Sequence, residues 1–368
     1  MIGGIALLAG TTALFMVPLL PAFIELLWPA DVAALPVPVE FDTRADKFAM
    51  VFRQHIAERL GGDPSAVLPG MVRRRQYLHA SGFHIVPVTG VPALDGTEAA
   101  SAVCTKVLLG VDIDLQAQHV FDQEIYATRT LRVAKRTVVR ALYAEDALWL
   151  AQRTKVRRWA HAGFIHVDRD CELCGRLTAT HRITIAPGTS FARLNAPRIE
   201  FCDPTEIVGD TTARDVDRTR IDGDFDNRVR LARDDKRIIV RGDVHIPERR
   251  LLEEDVIAYG RLRIGSCARV IGSVKAHDTV VVEPGARVDG ALIARTAAVL
   301  EPGSVVRGPV ISEGALTVGR GCRVGSPDAL SSVVAPDIRI APGATVFGTV
   351  WARRAGLAVA DSESGSTP

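Results

Sequence analysis

Cys171 and Cys174 stand two residues apart in RDCELCGRL and are followed by Gly175, the spacing of half a zinc knuckle. A tetrahedral zinc needs a second pair of thiolate or imidazole ligands. Cys202 stands alone, His166 sits between Ile165 and Val167 and so points outward, and His181 reads as a turn residue. Cys104, Cys267 and Cys322 are scattered through 368 residues, which suits reduced thiols better than a disulfide framework. His245, between Val244 and Ile246, and His277 read as surface residues rather than bases. There is no phosphate-cradling glycine loop and no Gly-x-Ser-x-Gly elbow. On these grounds the chain has no catalytic, cofactor-binding or metal-binding residues, and it does not read as an enzyme.

What sets the cysteine spacing is a repeat. VVVEPGARVDGALI (280–293) and AAVLEPGSVVRGPVI (297–311) share one pattern of aliphatics, Pro-Gly and a later glycine. Ile264, Val282, Leu300 and Val318 are 18 residues apart, and Val270, Val288, Val306 and Val324 follow six residues later. The same period places Leu131, Trp149, Val167 and Ile185 in one upstream series. Short alternating strands with glycine or proline corners, repeated in register, are the rungs of a β-solenoid, each burying its face only against its neighbours. In that register Cys171 and Cys322 fall on the small corner position of Ala286, and Cys174 falls on the outward position of Asp289.

The rungs occupy 120–202 and 238–356, separated by a charged insertion over 203–237 that reads as flexible, and followed by a polar tail, 357–368, that reads as disordered. Residues 40–118 read as a small α/β module: a helix over TRADKFAMVFRQHIAERL stopped by Gly61-Gly62, then strands in GFHIVPV and AVCTKVLLGVDIDL. From Ile2 to Ile24 no residue is charged. As a helix that stretch spans roughly 35 Å, enough for a bilayer core of about 30 Å, so residues 1–30 are expected to be a transmembrane anchor. The bases Arg44, Lys47, Arg53 and Arg59 behind it favour a single-pass protein of the cell membrane with a cytoplasmic body. A net charge of +2 and 5% aromatics give no electrostatic footprint for nucleic acid.

IIVRGDVHIPERRLLEEDVIAYGRLRIGSCARVIGSVKA, with its Gly-Ser-Val-Lys-Ala rung end, and GPVISEGALTVGRGCRVG resemble bactofilins, the polymer-forming cytoskeletal family. The resemblance covers 238–356 and, more loosely, 120–202. It implies a right-handed β-helix, a structural role and self-association into an oligomer or polymer. The expectation is thus a mainly β protein, a membrane-anchored scaffold that self-associates or recruits partners. Its alternatives are a binding or adaptor module for cell-envelope proteins or polysaccharide systems, and a hexapeptide-type acyltransferase, which would need a groove histidine that does not stand out. A solenoid ends in an unpaired backbone edge. The C-terminal rung IRIAPGATVFGTVWA is expected to provide it, with Ile338, Ile340, Val346 and Val350 inward and Phe347 and Trp351 as outward aromatics of an assembly interface.

Overall fold

The computed structural model describes residues 45–73, 83–85, 107–202, 230–234 and 237–360. Backbone contacts set apart a unit beginning at Ala45, to which all of these belong. The 28 strands described join in a single sheet that winds as a β-solenoid with three walls. In the first half, wall A comprises β2 (Val107–Gly110) and the later residues of β4 (Val120–Ala127) and β6 (Val138–Ala144). Wall B starts with β3 (Ile113–Leu115), β5 (Thr130–Val133) and β7 (Ala147–Leu150). Wall C is built from the first residues of β4 and β6. β8 (Lys155–Val167), β9 (Glu172–Ile185) and β10 (Ser190–Phe201) each run through all three walls.

The second half repeats the order A, B, C. It starts with β12 (Arg237–Val240), β13 (Val244–Ile246) and β14 (Leu251–Leu252), and continues on β15 (Asp255–Ala258), β16 (Leu262–Ile264) and β17 (Arg269–Val270). It closes with β27 (Ser331–Ile340) and β28 (Ala344–Ala358). The inward residues are almost all aliphatic; Ile264, Val282, Leu300 and Val318 stack as the 18-residue period requires and are buried. The upstream period differs. The register runs Leu131, Leu148, Ile165, Ile183 and Val133, Leu150, Val167, Ile185, with two steps of 17 residues, so Trp149 faces outward instead of into the core.

One corner explains why the two halves read so differently. Between walls B and C every rung passes through a left-handed residue: Gln118, Arg136, Arg153, Asp170 and Gly188, then Arg249, Cys267, Gly285, Gly303, Gly321 and Gly343. Glycine takes that conformation without strain, and Pro-Gly advertises it in the sequence. Upstream, polar residues occupy it on four rungs, and only the last, Pro187-Gly188, carries that signature. A second corner needs glycine for space: a Cβ on Gly290 would lie 2.6 Å from the carbonyl oxygen of Gly272.

The two halves join tail to tail. β28 pairs in parallel with β27 on one side and antiparallel with β10 on the other, from Ser190 opposite Leu357 to Phe201 opposite Ala344. Gly188 donates to the Ala358 carbonyl at 2.8 Å, Ala358 donates to the Thr189 carbonyl at 2.9 Å, and Asn195 Nδ2 donates to Thr349 Oγ1 at 2.7 Å. Leu194 meets Val350 and Ile199 meets Val346, so a single hydrophobic core runs through both halves. Antiparallel register held through a whole turn requires opposite travel along the axis as well as opposite rotation. The two halves therefore share one hand.

The elements expected as a separate α/β module lie on the solenoid. β1 (Phe83–Ile85) pairs with β2, which belongs to wall A. Helices α1 (Lys47–Leu60) and α2 (Pro64–Arg73) cover the outside of that wall. Phe52 packs edge-on against Tyr126 and Trp159, and Phe48 against Trp159. Glu145 ties the seam together: it accepts from Arg53 Nε at 2.9 Å and from the hydroxyls of Tyr126 and Ser65. Burial first, then the Glu145 carboxylate, holds the Tyr126 phenol protonated far above its ordinary range.

The expected transmembrane helix, and with it single-pass placement in the cell membrane, is corrected. No helix among the described residues is long and apolar enough to cross a membrane. α1, at 14 residues, spans only about 21 Å and carries Lys47, Arg53, Glu58 and Arg59. Residues 1–30, to which the anchor was assigned, lie outside the described residues, as do 203–229 of the charged insertion and 361–368 of the tail.

The junction yields a test. Val346→Lys would put an unpaired ammonium between Val324 and Ile199. It is expected to destabilise the chain by about 3 kcal/mol or more and to split urea unfolding into two transitions. Thr345→Lys, outward on the same strand, should stay within about 0.5 kcal/mol of wild type. Equal unfolding curves for Val346→Lys and wild type would contradict the junction.

Candidate assembly interface

Ile338, Ile340, Val346 and Val350 are buried inward residues. Phe347 is half-buried, and Trp351 is 42% exposed with the Arg193 guanidinium 5.0 Å above its ring. The edge they were expected to expose is not open. β10 occupies it along all three walls, so the backbone groups that would have joined a second chain already join the first half of the same chain. As an edge between chains, Val346, Phe347, Val350 and Trp351 are corrected to the internal junction on β28, and Ile338 and Ile340 lie one strand further in, on β27. The partner strand of β28 lies some 150 residues upstream, beyond the reach of any local signal.

The edges left free are the starts of the two halves. Among the described residues, β13 pairs only with β16, β14 only with β17, and β3 only with β5. Wall A is covered at both starts, by β1 on β2 and by β11 (Arg230–Asp234) antiparallel to β12. At β13, Val244 donates to the Arg261 carbonyl at 2.8 Å, and Gly265 donates to the Ile246 carbonyl at 2.8 Å. In a strand the N–H and C=O of alternate residues face opposite sides, so those of His245 point away from β16, toward the open edge. Arg250, just before β14, has its Nη1 buried without a hydrogen-bond partner. A groove of about 710 Å³ lies beside β13, lined by Asp243, His245, Glu248, Arg261, Arg263 and Glu283 among others.

Charge in that groove is compensated. Arg263 pairs with Glu283, which also accepts from the Ser266 N–H at 2.9 Å, and Arg261 Nε lies 3.4 Å from Asp278. The hydrogen bond from Arg263 holds the Glu283 carboxyl below its ordinary range. Exposed pairs of this kind contribute about 0–1 kcal/mol each, so they set rung register more than stability. Among the described residues no group of three metal-ligating side chains comes together.

The cysteines occupy the positions expected from the repeat. Cys171 is buried at a corner, with Sγ 3.3 Å from the Ala151 carbonyl oxygen, and its rung neighbour is Thr189. Cys322 occupies the equivalent place one rung from Ser304, with Sγ and Oγ 3.3 Å apart. Cys174 is exposed and Cys104 lies outside the described residues. Burial pushes the Cys171 thiol up to about 12 and raises that of Cys322. Of the histidines, His166 stacks on Trp149 with ring centroids 5.8 Å apart. His161 is buried beside Tyr143, with Nδ1 2.8 Å from Thr178 Oγ1, and burial lowers its pKa.

Comparison with protein families, with characterised proteins and with solved structures returned no match. The likeness to bactofilins rests on the repeat residues alone.

Thiol chemistry tests these placements. Alkylation of the native chain, mapped by mass spectrometry, should label Cys174 and Cys267 at once. Cys171 and Cys322 should react slower by the folding equilibrium constant, on the order of 10³ or more. The unfolded chain ionises the Cys171 thiol near its ordinary value of 9.0, so this contribution to stability is complete below that pH. It is lost as pH rises from about 9 to about 12, and denaturant midpoints should fall across that window. The raised Tyr143 phenol acts in the same direction. Rapid native labelling of Cys171 would contradict its corner placement.

Proposed function

We propose that this chain is a structural scaffold of the bactofilin-like kind its repeats resemble, and that it self-associates through the open edge of β13 and β14. The observation that carries the reading is the tail-to-tail junction, which leaves a rung start at each end of the described solenoid. Seen from outside either end, the chain sets off in the same rotational sense. When two such ends meet face to face, their strands run antiparallel, the same arrangement that the junction uses internally. The buried, partnerless Nη1 of Arg250 supports completion of the start of the second half by another strand. The role of adaptor for cell-envelope partners remains the second reading, and the outer surface of wall A favours it.

The test uses the one residue of β13 whose backbone faces outward. His245→Pro removes the outward N–H while leaving the bonds from Val244 and to Ile246 in place, a substitution that edge strands tolerate. The full chain is expected to form elongated oligomers by sedimentation velocity and electron microscopy. His245→Pro should reduce them to monomer, with the circular dichroism spectrum and melting temperature of wild type retained. A wild-type chain that stays monomeric at its solubility limit, or oligomers unaffected by His245→Pro, would overturn the proposal.

A further inference from the structure

Wall A of the second half carries aliphatic side chains on its outside as well as its inside. In β18 (Val274–Ala276), β21 (Leu292–Ala294) and β24 (Val310–Ser312) the last inward residue is small: Ala276, Ala294 and Ser312, all buried. The outward residues between the inward ones are Lys275, Ile293 and Ile311. The pairing register extends this outward column from Ile239 and Ile257 through Lys275, Ile293 and Ile311 to Val334 and Trp351. Ile311 is 37% exposed and Trp351 42%. Seven rungs at about 4.8 Å make a stripe about 29 Å long, interrupted once by Lys275.

The same column continues across the junction as Arg193, Arg176 and Trp159. At Trp159 it passes beneath α1. That helix lies along the rungs: Phe48 rests on Trp159, and Phe52 bridges Trp159, Tyr143 and Tyr126 on three successive rungs. Wall A therefore already seats a helix in its first half, on Trp159 of this column and on Tyr143 and Tyr126 of the adjoining outward one, and the stripe, which nothing among the described residues covers, continues the Trp159 column. Its width argues against a second copy packing sheet to sheet. The adjoining outward column is Asp255, Ser273, Ala291, Pro309 and Ser332, small or polar, so only one apolar column is on offer. A single column fits one seam of a helix. On the other flank the corner carries Arg241, Tyr259, His277 and Arg295, with the Tyr259 and His277 rings stacked 4.6 Å apart.

We propose that this stripe is the docking track for an amphipathic helix of a partner protein, about 19 residues long, with an aliphatic seam on the isoleucines and an acidic edge toward the arginine flank. The proposal does not depend on self-association through β13.

Two synthetic helical peptides of that length test it, both with leucine at seam positions, one edged with glutamate and the other with lysine. Fluorescence anisotropy with the full chain should show the glutamate-edged peptide binding at least about tenfold more tightly than the lysine-edged one. Ile293→Lys and Ile311→Lys, both outward, should each weaken it at least about tenfold, while Val305→Lys on wall C should leave it unchanged. On the wild-type chain the peptide should suppress hydroxyl-radical labelling of Trp351 and Ile311 but not of Val120, a reading that needs no variant. Equal binding of the two peptides, full binding to Ile293→Lys and Ile311→Lys, or unchanged labelling would overturn the proposal. So would peptide-free oligomers that disappear in the stripe variants, which would assign the face to a second copy. Binding of wild type but not of those variants to anionic phospholipid vesicles would instead assign it to a lipid surface.

Discussion

Every rung of a solenoid leaves half its backbone groups facing the next rung, and a rung without a neighbour leaves them unpaired. That constraint organises this protein. Internal rungs meet it by parallel stacking, and the side chains follow: aliphatics inward, small residues or left-handed residues at the corners, and ion pairs such as Lys155–Glu172 one rung apart on the surface. The last rung of each half has no further parallel neighbour, and each satisfies the other. β10 and β28 meet antiparallel over all three walls, closing two edges with one contact and merging two cores.

Much of the second half was legible because three of its corners are written in Pro-Gly, at Gly285, Gly303 and Gly343, and its period is an unbroken 18 until the insertion near Ser326. The first half obscured itself through its own chemistry. Four of its five left-handed corners are Gln118, Arg136, Arg153 and Asp170 rather than glycine, and its 17-residue steps turn an assumed 18-residue series outward at Trp149. Burial on both sides of wall A also hid where the expected helix, α1, docks. Val107, Leu108 and Leu109 are all buried, one side by the core and the other by helices, so the alternation expected of a strand with one wet face is missing. The candidate interface was half legible. Val346 and Val350 do belong to the last rung and point inward, whereas Ile338 and Ile340 point inward one strand earlier, on β27 beneath Gly356 and Ala358 of β28. That the rung's neighbour is Leu194 or Ile199 of the same chain depends on tertiary topology, which no local pattern encodes.

The two faces of wall A show how far hydrophobic patterning can be pushed once the backbone is fixed by stacking. In a sheet with one wet face, large aliphatics belong inside. Here each strand gives the interior one larger residue, Val256, Val274 or Leu292, and one alanine, Ala258, Ala276 or Ala294, while isoleucine stands on the outer surface at Ile257 and Ile293. Where that outer surface lies under α1, the outward placement has a visible cause: Tyr126, Tyr143 and Trp159 are the helix's seat. An outward apolar column in a solenoid is thus read best by asking what the equivalent column does on other rungs.

Among the described residues, the starts of the two halves are closed on wall A and open on walls B and C, which constrains the end-to-end contact proposed above. β11 stands one strand proud of β13 and β14, so two such ends cannot meet on all three walls while both keep their β11 strands on β12. The pairing it would yield to is a full rung like that between β10 and β28, with two strands of the start gaining partners and an apolar rim being covered. A short hairpin strand on one wall is a modest barrier against a contact of that extent, yet it is enough to keep the edge from pairing with any extended chain that happens by. In this geometry β11 blunts the end without sealing it, and among the described residues no strand pairs with the outward edge of β13 or β14.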